Sequence, residues 1–252
     1  MGADQSTPDK IKLELKPRNY QAVNLAIPYQ QLSMIKLLQA NYEYEVKGTL
    51  YFDSHNQFKS FEIRTDGSPI ESTGASDWRI QFHTHPDRTA QRYGVRYYSP
   101  PSVEDVLEVY SHNQRFVPET VDQSLGEISL VVTNEGIYLM QTDRQAFSDS
   151  PLAELDESEQ EAYLHERYNP FISSFIIERV KAVYELEGWG QPDLANPDRL
   201  TYAQFSTMVK GLAHAVSQRF GFTLKFYDWK ELSEQGLTLS TSTYYANKRV
   251  QD

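Results

Sequence analysis

Cysteine is missing from all 252 residues. That absence excludes disulfides, a Cys nucleophile, iron–sulfur ligation and every Cys-containing zinc site. The chain must therefore be held by an apolar core, and any metal site must be built from His, Asp and Glu. The length suits one large domain, or a domain of about 130 residues with a substantial extension. Acids outnumber bases 35 to 24, a net charge of −11, which argues against a general nucleic-acid or anionic-membrane binder. Seventeen tyrosines suggest half-buried surfaces with polar tips. No apolar run approaches 18 residues and no secretory pattern opens the chain, so the expectation is an intracellular, cytoplasmic protein without a membrane span, with the nucleus left open.

Met1-Gly2-Ala3-Asp4-Gln5-Ser6 fits the N-myristoylation template, with Gly2 as acceptor. No polybasic segment supports it, and one acyl chain binds membranes only marginally. The competing reading is a loose, polar start over residues 1–24.

Periodicity predicts an α/β (α+β) fold, with an α/β N-terminal domain followed by a mostly helical extension. From Pro28, Leu32, Ile35, Leu37 and Leu38 fall at helical spacing. Tyr42 to Phe52, Phe58 to Arg64 and Trp78 to Phe82 read as strands, with a turn at Asp66-Gly67. Ser102 to Tyr110 reads as a helix entered after two prolines. Ile128–Thr133 and Ile137–Gln141 flank Asn134-Glu135-Gly136, a hairpin signal with glycine where a three-residue loop needs it. Residues 143–158 read as a polar linker. Beyond them come a helical stretch over Glu159–Glu187 interrupted at Asn169-Pro170, an amphipathic helix over Thr201–Phe220 ended by Gly221, and a strand from Phe222 to Trp229. The expected division is 1–24 loose, 25–145 an α/β domain, and 146–252 a mainly helical extension.

Three short elements carry chemistry, each with an ordinary alternative. His83-Thr84-His85-Pro86 ends a strand, where alternate residues share a face, so both imidazoles can meet one ion; the alternative is two surface histidines. Ser102-Val103-Glu104-Asp105 opens a helix, and by itself reads as a cap complementing the helix dipole. Glu45-Val46-Lys47-Gly48 lies in a predicted strand, where a glutamate is ordinarily solvent-facing.

Together, Glu45…Gly48, His83-x-His85-Pro86 and Pro101-Ser102-x-x-Asp105 resemble the JAB/MPN metalloprotease family, also called JAMM. The resemblance covers residues 27–145. It implies a JAB/MPN-like metalloprotease domain over 25–145, a mixed sheet flanked by helices with a cytidine-deaminase-like core, one Zn²⁺ held by His83, His85 and Asp105 with the fourth position left for water, Glu45 as general base then acid, and Ser102 as oxyanion donor. The implied reaction is hydrolysis of a peptide or isopeptide bond, with ubiquitin or a ubiquitin-like modifier on the acyl side. The alternatives are a modifier-independent metallopeptidase and a catalytically silent MPN scaffold; the intact motif argues against the latter. A nucleic-acid-associated member is opposed by the charge.

One departure stands out. Sixteen residues separate His85 from Ser102, more than the compact family pattern has. The excess, Arg88–Tyr98, would overhang the cleft and offers Arg92, Tyr93, Arg96 and Tyr97 as substrate contacts; the alternative is a surface loop. The metallo-β-lactamase pattern fails at Arg88, and the cupin, zincin, serine-hydrolase and Walker signatures are absent. His55, His112, His165 and His214 fall in no ligand context. The acids between Glu154 and Glu161 are candidates for meeting a basic modifier tail, and the C-terminal helices for meeting a protein partner.

Overall fold

The computed structural model describes residues 20–64, 78–86, 100–114, 125–192 and 200–247. Strand β1 (Ala22–Ile27) alternates exposed and buried residues along its whole length, so the loose start expected over 1–24 gives way to regular structure by Ala22. Helix α1 (Tyr29–Asn41) follows, burying Leu32, Ile35 and Gln39, while Leu37 is left exposed. Strands β2 (Lys47–Phe52), β3 (Phe58–Arg64) and β4 (Trp78–Thr84) come next. Strand β2 starts later than Tyr42, so Glu45 sits on the segment leading into it. Helix α2 (Val103–Gln114) precedes the hairpin of β5 (Ile128–Val132) and β6 (Gly136–Thr142). Gly136 has no positive φ. Its reason is close approach, because a Cβ there would lie 2.2 Å from the Tyr227 carbonyl oxygen.

The linker expected over 143–158 is structured. Asp143 caps the short helix α3 (Arg144–Ser148), and a 3-10 turn spans Pro151–Glu154. Asp156 and Glu159 then form a reciprocal capping box on α4 (Glu157–Leu186), so two of the acids offered for a basic tail are engaged in ending the chain's turn and starting a helix. Helix α4 runs unbroken through Pro170, against the expected interruption. Helix α5 (Tyr202–Phe220) starts at a Thr201 capping box and stops at Gly221, φ 67°. Strand β7 (Phe222–Asp228), α6 (Trp229–Gln235), β8 (Leu237–Ser242) and α7 (Thr243–Asn247) follow.

Among the described residues the main sheet is mixed and six-stranded, in the order β3-β2-β4-β5-β6-β7, and β1 pairs antiparallel with β8 in a separate ribbon. This confirms the α/β class with a mixed sheet flanked by helices and a largely helical C-terminal part. The boundary at 145 does not divide the structure: β7 extends the sheet from β6 and β8 closes on β1. Strand alternation feeds two cores. Leu130, Val132, Ile137 and Leu139 face a cluster with Leu32 and Ile35 of α1 and Leu25 and Leu239 of the ribbon. Val131, Tyr138 and Met140 face the other way, into a cluster with Val106 and Tyr110 of α2, Tyr168 of α4 and Leu212 of α5.

Candidate metal centre

Strands β4 and β5 pair in parallel, and a parallel pair needs a crossover, here one that carries α2. A crossover helix runs back against its strands, so its first turn lies at their carboxyl ends, where open α/β sheets place ligands. That geometry brings Ser102 and Asp105 to the end of β4. On β4, Ile80 and Phe82 enter the α1-side core, so the alternate residue His83 falls on the α2 side.

The segment around the histidines is pinned by backbone groups. Thr84 N–H donates to the Val46 carbonyl at 3.0 Å, and the Thr84 hydroxyl accepts from Val46 N–H at 2.9 Å. These bonds hold the Glu45–Val46 stretch beside the strand end. His85 N–H donates to the Val132 carbonyl at 2.9 Å, and its own carbonyl accepts from Gln39 Nε2 of α1 at 3.1 Å. Gln39 is fully buried, and its Oε1 has no hydrogen-bond partner among the described residues.

The imidazoles converge. His83 Nε2 and His85 Nε2 are 3.2 Å apart; His83 Nε2 lies 3.0 Å from Asp105 Oδ1, and His85 Nε2 3.4 Å from Asp105 Oδ2. The three donor atoms lie within 4.8 Å of one another. Two imidazole nitrogens on one tetrahedral ion, with bonds of about 2.0–2.1 Å, stand about 3.3 Å apart. The spacing of the two nitrogens is close to that value, and His83, His85 and Asp105 could hold a metal ion. The histidines are buried and Asp105 nearly so.

Asp105 has two tasks. Its Oδ2 accepts the Ser102 N–H at 2.7 Å while its own N–H donates to Ser102 Oγ at 3.2 Å. The capping interpretation and the ligand interpretation of this residue thus hold together. Burial alone would raise the Asp105 carboxyl, but hydrogen bonds from His83 and His85, with the Ser102 N–H, outweigh it and hold the group well below the usual carboxylate range. An anionic carboxylate beside two imidazoles is a donor set that could hold a cation.

Glu45 is half-exposed and its Oε1 lies 4.0 Å from His85 Nε2, at the rim of the group. Ser102 sits beside Asp105. Arg92, Tyr93, Arg96, Tyr97, the rest of 88–98, and Gly2 lie outside the described residues. Among the other histidines, His165 and His214 are exposed on α4 and α5, close to Glu161 and Gln218 respectively.

Two residues at the centre were not singled out by motif. Gln39 carries a signal, a polar side chain in the buried stripe with Leu32 and Ile35. Tyr168 carries none beyond its place in the buried stripe Leu164–Tyr168–Ile172; its hydroxyl, fully buried, donates to the Pro101 carbonyl at 2.9 Å. In comparisons with known proteins, no family model, no curated protein and no solved structure matches this chain. Among the described residues, no helix is long and apolar enough to cross a membrane.

Proposed function

We propose that this chain is a zinc-dependent hydrolase of the JAMM type, cleaving an isopeptide or peptide bond and removing ubiquitin or a ubiquitin-like modifier. The observation that carries this reading is the convergence of His83, His85 and Asp105 with Glu45 at 4.0 Å from His85 Nε2. Bound there, zinc would supply Lewis acidity and lower the pKa of a bound water to about 7.

The protein's own groups supply the rest. Glu45, partly in solvent at the rim, would take the proton of the attacking water and deliver it to the leaving amine. The Ser102 hydroxyl accepts the Asp105 N–H, which leaves its proton for the developing oxyanion, and a donor of this kind is typically worth about 10²–10³ in rate. Asp105, held anionic by its neighbours, would keep the ion in place while both histidines present Nε2. A modifier-independent peptidase would use the same groups in the same order and is separated by substrate alone.

The test is cleavage of a panel of ubiquitin dimers of each linkage by zinc-loaded protein, with Glu45→Ala and His83→Ala alongside. The expected result is cleavage by wild type, loss of activity with zinc retained in Glu45→Ala, and loss of zinc in His83→Ala. Cleavage of unmodified peptides with every dimer left intact would replace the modifier reading with the peptidase one. Wild-type activity that survives in Glu45→Ala would overturn the mechanism.

A further inference from the structure

The peptide unit between Pro101 and Ser102 is held from both sides. Its carbonyl accepts the Tyr168 hydroxyl at 2.9 Å, and its N–H donates to Asp105 Oδ2 at 2.7 Å. That same oxygen lies 3.4 Å from His85 Nε2, and its companion Oδ1 3.0 Å from His83 Nε2. We infer that Tyr168, a residue of the C-terminal helices, is a positioning residue for the metal ligand Asp105, acting through the Pro101–Ser102 peptide.

The physical argument has two parts. Donation to a peptide carbonyl polarises the amide and makes its N–H a stronger donor, so the bonds at the two ends reinforce each other. The Ser102 N–H then fixes the rotation of the Asp105 carboxylate, leaving Oδ1 and Oδ2 aimed at the two imidazoles. Outer partners that orient a ligand in this way are typically worth about 10–100-fold in metal affinity. Tyr168 is suited to the task because it is rigidly packed: it is fully buried and meets Phe220 of α5 edge-on with ring centroids 5.1 Å apart. Helix α4 thereby belongs to the centre's support, and the segment 146–252 acquires a role. The inference rests on the metal-holding part of the proposed function and not on the choice of substrate.

Tyr110 provides the control. It is equally buried, and its hydroxyl also donates to a backbone carbonyl, that of Phe220 and not that of the Pro101–Ser102 peptide. Full-length wild type, Tyr168→Phe and Tyr110→Phe would be titrated with zinc against a chelator, and their cobalt-loaded forms compared by visible absorption. The expected result is zinc affinity about tenfold weaker in Tyr168→Phe, the low end of that range, with an altered cobalt spectrum. Tyr110→Phe should match wild type in both readouts while losing comparable thermal stability. In wild type itself, the Ser102 amide should exchange slowly with deuterated solvent.

Tyr168→Phe binding zinc as tightly as wild type, Tyr110→Phe weakening it equally, or fast exchange at Ser102 would each overturn the inference. Wild type that takes up neither zinc nor cobalt would overturn the metal centre itself. Wild type that binds zinc but cleaves nothing would leave the role of Tyr168 standing.

Discussion

Gly48, the last residue of the Glu45…Gly48 element, can be tested by a single methyl group. It pairs across β2 and β4 with Phe82, the neighbour of His83. A Cβ at this position would lie 2.4 Å from Phe82 Cζ, 2.5 Å from Phe82 Cε1 and 2.5 Å from the Glu62 carbonyl oxygen of β3. Carbon atoms rest at about 3.5–4.0 Å, so the ring must withdraw by about 1 Å. It has nowhere to go, being 2% exposed and lodged against Phe61, and the Glu62 carbonyl is backbone. Overpacking of this kind costs about 1–3 kcal/mol. Gly48 has no positive φ, so alanine also stiffens the unfolded chain and returns about 0.4–1 kcal/mol. The net expectation for Gly48→Ala is a loss of about 1–2 kcal/mol, and a domain of this size melts about 2–4 °C lower per kcal/mol. Thermal and urea unfolding of metal-free protein would measure it. Phe82→Leu should partly relieve the clash, so the double variant should lose less than the sum of the singles. A Gly48→Ala protein as stable as wild type, or strict additivity, would refute the close-approach argument.

Gln39→Ala removes the donor to the His85 carbonyl and should weaken zinc binding by about tenfold; unchanged affinity in a chelator titration would show that His85 is held without it. Pro170 is exposed in the interior of α4, so Pro170→Ala should raise stability by about 1–3 kcal/mol, and a lower melting temperature would contradict this. Asp228 caps α6, accepts the Ser206 hydroxyl and lies 3.6 Å from Lys210 Nζ. Burial would raise its carboxyl, yet Ser206, the Glu231 N–H and Lys210 together lower it. A group lowered on folding stabilises above its unfolded value of about 3.9 and loses that contribution as pH falls through its folded value. Wild type should therefore exceed Asp228→Asn by about 1–2 kcal/mol at pH 7, with the margin shrinking below pH about 4; a pH-independent margin would falsify the assignment.

Local pattern made some elements legible and left others hidden. The β5–β6 hairpin could be read because alternate apolar residues and a glycine-bearing loop occur within fifteen residues of one another. The three residues that could hold a metal ion stood out because residue type and order carry them, even though they come from β4, the residue after it, and α2. Pro170 misled because its local cost is outweighed by the buried stripe of Leu164, Tyr168 and Ile172, which runs straight past it. Glu45 was placed on a strand by its aromatic and branched neighbours, whereas the Thr84 bonds to Val46 set its position. Strand β1 was missed although it alternates, because its partner lies at the far end of the chain. The Tyr168 contact with Pro101 spans 67 residues and has no local signature at all.

The ribbon of β1 and β8 bears on how this protein is made. Ala22 pairs with Ser242, so at synthesis rates of about 5–20 residues per second β1 leaves the ribosome roughly 10–40 s before its partner exists. Strand β6, buried along all seven residues, likewise waits for β7 to cover its open edge. Unpaired strand edges recruit other chains. A growing or truncated polypeptide that stops near residue 145 would therefore present two such edges together, and they are covered only once β7 and β8 have been made.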